Sequence, residues 1–312
     1  MKTVIVTAVA FGTRLRLAAL AAALTLPAAL TACTTDDGPA PAGRGDCPTD
    51  PVAVVVSLDQ WGDIVARLGG SCATVTTLLA GSAADPHDFE PPPADAVRMS
   101  GAQLVVLNGG NYDEWAAKLA ATSAPGAPVI SAVAQDGNPH VWYDPTAVTR
   151  VADAVTARLA ELAPGAADYF AERHGVFAQQ LTPYTAAIAK IKAGAPGRSY
   201  AATEPVFDPM AEQLGLVDRT PAGYRAAAAR DSDPAPADLS AFLRLLSDRG
   251  VDLLIFNTQT QGALPAQLRD AARAAGVPVV EVTETIPPGT GSFLDWQLGQ
   301  LRAVGEVLGV AV

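Results

Sequence analysis

The sequence predicts an α/β protein of two small parallel-sheet lobes joined by one long helix. Three observations carry that prediction. Continuous apolar runs such as "VAVVVS" (52–57) and "VDLLIFN" (251–257) read as strands covered on both faces. Stretches with helical spacing separate these runs, which is the alternation of a parallel sheet flanked by helices. Between the two alternating halves, residues 145–192 carry apolar positions only at helical intervals.

Each element follows in order. After "VAVVVS", the segment "QWGDIVARLGG" places Trp61, Ile64, Val65 and Leu68 on one helical face and stops at a Gly-Gly pair, a C-terminal signal. "TVTTLLA" (74–80) and "QLVVLNG" (103–109) are the next strands, with a helix between them from about Ala94. Asp144 is an N-cap candidate with Pro145 at the first helical position. Val148, Val151, Val155, Leu159 and Leu162 then repeat at helical spacing. Phe170, His174, Phe177 and Leu181 continue the pattern past Pro164-Gly165. Beyond "AGAPG" (193–197) the alternation resumes, with strands at "RSYAAT", "VDLLIFN" and "VPVVEVT" and helices near 206–214, 237–249 and 263–275. The expected organisation is an N-terminal lobe over 51–144, a linking helix over 145–192 and a C-terminal lobe over 193–312.

Residues 1–32 stand apart. Lys2, Arg14 and Arg16 precede the apolar run "LAALAAALTLPAAL" (17–30), which is too short for a membrane span, and "LTAC" follows. This resembles a bacterial lipoprotein signal peptide, in which Cys33 is lipidated and becomes the mature N-terminus. Residues 33–50, in which "TTDDGPAPAGRGD" follows Cys33, then read as a flexible tether. Without the signal, 18 basic residues face 32 acidic ones. So acidic a surface is a poor partner for nucleic acid or anionic lipid heads. Cys47 and Cys72 form an even pair outside the cytoplasm and read as a disulfide, free thiols being the alternative.

The chain has three histidines, and two stand in matching contexts. His87 lies in "ADPHDFEPPP" and His140 in "GNPHVWYDP", both in loops stiffened by proline. Loops at the carboxyl ends of parallel strands are where ligands bind, and a fixed backbone lowers the ordering cost of coordination. His174, on the apolar stripe of the long helix, reads as packing or partly exposed. Two imidazoles need further donors to close a site around a divalent cation, and carboxylates supply them. Glu204 in "YAATEPVF" and Glu284 in "EVTETIPPG" each follow a strand of the second lobe. There is no H-E-x-x-H, nucleophile elbow or phosphate-binding glycine loop, so the sequence offers no enzyme motif.

Over roughly residues 51–310 the chain resembles the metal-binding family of solute-binding lipoproteins that serve bacterial zinc and manganese ABC importers. The likeness is carried by "VVSLDQWGDIVARLGG", "DPHDFEPPPADAVRMSGAQLVVLNG", "YDEW", "PHVWYDP", "TEPVFDPMAEQLGL", "DPAPADL" and "VTETIPPG". It implies two α/β lobes bridged by a long rigid helix, with the metal site in the cleft between lobes. It carries His87, His140, Glu204 and Glu284 over as ligands, the loop around Glu284 departing from the commonest pattern. The implied role is capture of one divalent ion, Mn(II) ahead of Zn(II), for delivery to a membrane permease, by a monomer anchored by lipid outside the cytoplasm. Two imidazoles with two carboxylates suit the harder, higher-coordinate Mn(II), while the general affinity order favours Zn(II). A zinc-specific binder is the alternative, and a binder of a larger chelate such as a siderophore a more distant one, kept open by Trp142 and Tyr143. Asp144, Tyr143 and Asp208 are candidates for supporting the ligands by hydrogen bonds.

Overall fold

A computed structural model describes residues 47–81, 86–87, 89–133, 137–230, 232–260 and 262–312. The signal segment, Cys33 and most of the tether lie outside the described residues. Two four-stranded sheets, each fully parallel, form the two lobes. The first contains β1 (Val52–Leu58), β2 (Ala73–Leu79), β3 (Leu104–Gly109) and β4 (Val129–Val133), in the order β2-β1-β3-β4. The second contains β5 (Ser199–Ala202), β6 (Val217–Asp218), β7 (Leu253–Asn257) and β8 (Val279–Val282), in the order β6-β5-β7-β8. Both sheets therefore reverse strand order between their first and third strands. Such a switch opens a crevice at the carboxyl ends of the strands.

Helices cover the faces. The N-terminal lobe has α1 (Asp59–Gly69), α2 (Pro93–Ser100) and α3 (Glu114–Ser123). Trp61, Ile64, Val65 and Leu68 of α1 are all buried, as their spacing requires. Next come α4 (Pro145–Leu162), α5 (Ala167–Gln180) and α6 (Thr182–Gly194). The C-terminal lobe has α7 (Asp208–Leu214), α8 (Ala222–Ala228), α9 (Pro236–Ser247), α10 (Ala263–Ala275) and α11 (Phe293–Leu308). Among the described residues no helix is long and apolar enough to cross a membrane.

The single helix expected over 145–192 is corrected by the structure. It breaks at Ala163, which sits at φ −133° and ψ 75° because Pro164 behind it disfavours the helical region. A short 3₁₀ turn, Pro164–Ala166, follows and the chain reverses. Asp153 and His174, nearly equidistant from that turn, meet at 2.7 Å, so α4 and α5 form an antiparallel hairpin. Asp144 caps α4 by accepting the Thr146 N–H at 3.0 Å. Helix α4 packs on α1 and β4 and belongs to the first lobe, whereas α5 packs on α1 and α6 on α11. The link between lobes is thus α5–α6. Leu181 carries the helical hydrogen bonds from one to the other, accepting from Thr185 and donating to Phe177.

One core runs from the first sheet through α4–α6 into the second lobe, taking in Trp61, Val106, Val151, Phe170, Ile191 and Leu301. Cys47 and Cys72 are joined by a disulfide, with Cα atoms 5.0 Å apart. It ties the chain ahead of β1 to the residue before β2, at the amino ends of those strands.

Candidate metal centre

Every residue proposed from the sequence as a ligand lies beyond the carboxyl end of a strand. His87 follows β2, His140 follows β4, Glu204 follows β5 and Glu284 follows β8. Ligand atoms of His87, His140 and Glu284 all lie within 4.8 Å of one another. Glu204 stands outside that group and joins it through an intermediary described below.

The backbone on both sides of His87 is held by one side chain. Trp115 donates its indole N–H to the Pro86 carbonyl at 3.1 Å, and its ring packs edge-on against Phe89 at 4.7 Å. His87 itself is exposed, while His140 and Glu284 are buried.

His140 has its ring orientation decided by Asn138. The Asn138 amide nitrogen donates to the Pro205 carbonyl at 2.7 Å, which leaves Oδ1 as the acceptor facing His140. Oδ1 takes the His140 backbone N–H at 2.9 Å and lies 2.7 Å from Nδ1. In the neutral ring the proton therefore belongs on Nδ1, and the Nε2 lone pair is left for an electrophile. Nε2 points to the other lobe, 3.6 Å from Glu284 Oε2.

Glu284 collects donors from both lobes. Tyr112, buried and wedged against His87 and His140 at centroid distances of 4.5 and 5.5 Å, donates its hydroxyl to Oε2 at 2.6 Å. Asn257 donates to Oε1 at 2.7 Å, and the Glu284 backbone N–H goes to Gln259. Burial by itself would raise this carboxyl. Once protonated, His140 adds a hydrogen bond and a charge, which with Tyr112 and Asn257 outweigh burial and hold the carboxyl down to about 2. Glu204 behaves oppositely: burial, with some help from the neighbouring Glu284 charge, raises its carboxyl above the usual range, against the pull of Asn257 and His140. Asn257 donates to Glu204 Oε2 at 2.6 Å as well, so one amide touches both carboxylates.

The supporting residues differ from those anticipated. Tyr143 does serve, its hydroxyl meeting the Thr283 carbonyl at 2.6 Å, beside Glu284. Asp144 is a helix cap that also accepts from Gln213. Asp208 is turned to Arg225 and Tyr200, away from the cluster. His174 pairs with Asp153 on the helical hairpin. Tyr112, Asn138, Trp115 and Asn257 escaped the sequence reading. The rule that singled out Glu204 and Glu284, a polar residue where an apolar strand ends, also picks Asn257 in "LLIFN" and Tyr112 in "LVVLNGGNY".

Chemically, the arrangement offers two imidazoles and a carboxylate converging from two lobes and a second carboxylate close behind. Residues 54–307 match the family of the periplasmic zinc-uptake complex component A (ZnuA). The chain belongs to the ZnuA family. Members of the ZnuA family are solute-binding components of transport and not enzymes. Over 137 residues the chain is 26% identical to the manganese-binding lipoprotein MntA of Halalkalibacterium halodurans, covering 41% of this chain and 45% of that one. The match thus spans less than half the length of that relative. Among solved structures, FpvC from Pseudomonas aeruginosa in complex with Mn2+ aligns with a TM-score of 0.69 at 22% identity, covering 83% of this chain and 99% of that one. A crystal structure of ZnuA aligns with a TM-score of 0.69 at 19% identity, covering 84% and 99%. At these identities the likeness is one of fold, and it matches the two-lobe arrangement described above.

Proposed function

We propose that this ZnuA-family protein captures a divalent transition metal outside the cytoplasm and delivers it to an ABC-type permease. The observation that carries the reading is the approach of His87, His140 and Glu284 to within 4.8 Å across the two lobes. These three, with Glu204, are the proposed ligands. The ion is cargo, so the site needs donors and an exit but no open position for a reacting water. Mn(II) is preferred to Zn(II) because carboxylates supply half of the donor residues and suit a harder ion of higher coordination number. The names of the manganese-binding relative and of the Mn2+ complex are consistent with that order, and the family's zinc designation keeps Zn(II) as the alternative.

Lipid attachment at Cys33 and a monomeric state belong to the same proposal. A larger chelate has no support from the aromatic residues that kept it open. Trp142 and Tyr143 are wholly buried and packed on one another and on Tyr112, Phe207 and Trp296. Calorimetric titration of the metal-stripped chain tests the proposal. One-to-one binding of both ions, with Mn(II) at sub-micromolar concentration, supports manganese uptake. Tight Zn(II) with negligible Mn(II) moves the protein to zinc, and silence with both ions removes the metal reading.

A further inference from the structure

We infer that Asn257 is the positioning residue for both C-lobe carboxylates, and that its bridge sets how tightly the ion is held. This rests on the ligand assignment just proposed and deepens it. Asn257 ends β7, is 1% exposed, and has its backbone N–H near Thr203 Oγ1 at 3.3 Å. Its amide can be oriented in only one way. The Gln259 backbone N–H donates to Oδ1 at 3.1 Å, so Nδ2 is the end that faces the site. An amide nitrogen has two hydrogens. One goes to Glu204 Oε2 at 2.6 Å and the other to Glu284 Oε1 at 2.7 Å.

Two carboxylates held this close ordinarily require a cation between them. Here a neutral donor, the Asn257 amide, links them. The bridge has two effects. It ties the carboxylates together by the protein's own hydrogen bonds, which lowers the ordering cost of assembling the C-lobe half. It also engages one oxygen of each carboxylate, so that Glu284 turns its other oxygen, Oε2, towards His140 Nε2.

The test uses Asn257→Ala, Glu204→Gln and the double variant in the full metal-stripped chain, titrated with Mn(II) and with Zn(II). Far-UV circular dichroism and melting check the fold, and Asn257→Ser substitutes if the alanine variant does not fold. Removing a residue that orients ligands costs roughly 10- to 100-fold in metal affinity. The expected result for Asn257→Ala is a loss in that range for both ions, with a changed Co(II) absorption spectrum as the carboxylates shift. A bridge acting through Glu204 also predicts non-additivity: in the Glu204→Gln background the same substitution should cost at least about threefold less. A purely structural role would leave the Co(II) spectrum unchanged and the two losses additive, and either result overturns the inference. Wild-type protein that binds neither ion would overturn the ligand assignment itself.

Discussion

His140 reaches the cleft with one ring nitrogen committed to Asn138 and the other turned to Glu284, so its tautomer is decided before a ligand arrives. Removing the imidazole deletes a donor without touching the sheets. His140→Ala is expected to lower Mn(II) and Zn(II) affinity by more than about 100-fold, measured by calorimetry, with an unchanged circular dichroism spectrum. The two carboxylates make opposite demands on pH. Glu284 is held down to about 2, so the stability it contributes is complete above about 4.5 and is lost as pH falls through about 2. Glu204 is raised by burial, so its ionised form costs stability at neutral pH, and acidification through its folded value relieves that cost. Asp59 and Asp113 are raised for the same reason. The metal-free protein should therefore melt no lower, and rather higher, as pH is brought from neutral to just above the ordinary carboxylate range, while metal affinity falls because protons compete for Glu204. Melting and titration across that range check both halves. By the same logic Glu204→Gln should melt higher than wild type without metal and bind it less tightly. The Pro-His pairs were legible because proline on either side marks a stiff loop. Asn257 and Tyr112 stand where the same strand-end rule points, but nothing local in "IFNTQ" or "GGNYDEW" says which lobe their side chains meet, so their role is not legible there.

Elements built from continuous apolar runs were readable for a physical reason. A strand buried on both faces, such as β1, β3 or β7, has no polar face to interrupt the run. Strand β4 lies at the edge of its sheet with Val129 and Ser131 exposed, and β6 is two residues long, so neither leaves such a run. The hairpin of α4 and α5 was read as one helix because the apolar period continues through Pro164, and periodicity is blind to a reversal of direction. Close packing at this scale gives two predictions. Gly62 faces Thr77 so tightly that a β-carbon would overlap the threonine hydroxyl, because α1 lies directly on β2. Gly62→Ala is expected to cost about 1–3 kcal/mol, read from denaturant unfolding. The Cys47–Cys72 disulfide closes a loop with a sequence separation of 25. Its loss through Cys72→Ser should lower stability by roughly 3 kcal/mol. Metal affinity should hold, because the bridge sits at the amino ends of the strands and the ligands at the carboxyl ends.

Across the whole molecule, the lobes are joined by more than α5–α6. Tyr112 reaches Glu284, Asn138 reaches the Pro205 carbonyl, and Tyr143 reaches the Thr283 carbonyl. Asp59 and Asp63 of α1 accept the backbone N–H groups of Ile286 and Phe293. These five bonds tie the lobes together around the proposed ligands and limit how far the lobes can separate. Small-angle scattering of the metal-free and metal-loaded forms should give the same radius of gyration. The whole chain carries a formal charge of −11, which attracts cations over the last stretch of their approach in a way that salt weakens.

The unequal exposure of the three proposed ligands that converge has a kinetic consequence. His140 and Glu284 are buried, with Tyr112 and Trp142 packed against His140, while His87 is exposed next to the Pro86 carbonyl that Trp115 holds. An ion bound by the proposed ligands would meet the exposed His87 before the buried pair, and on leaving would part from His87 last. A competitor for that ion, whether a small chelator or a receiving protein, would begin its exchange at that single imidazole.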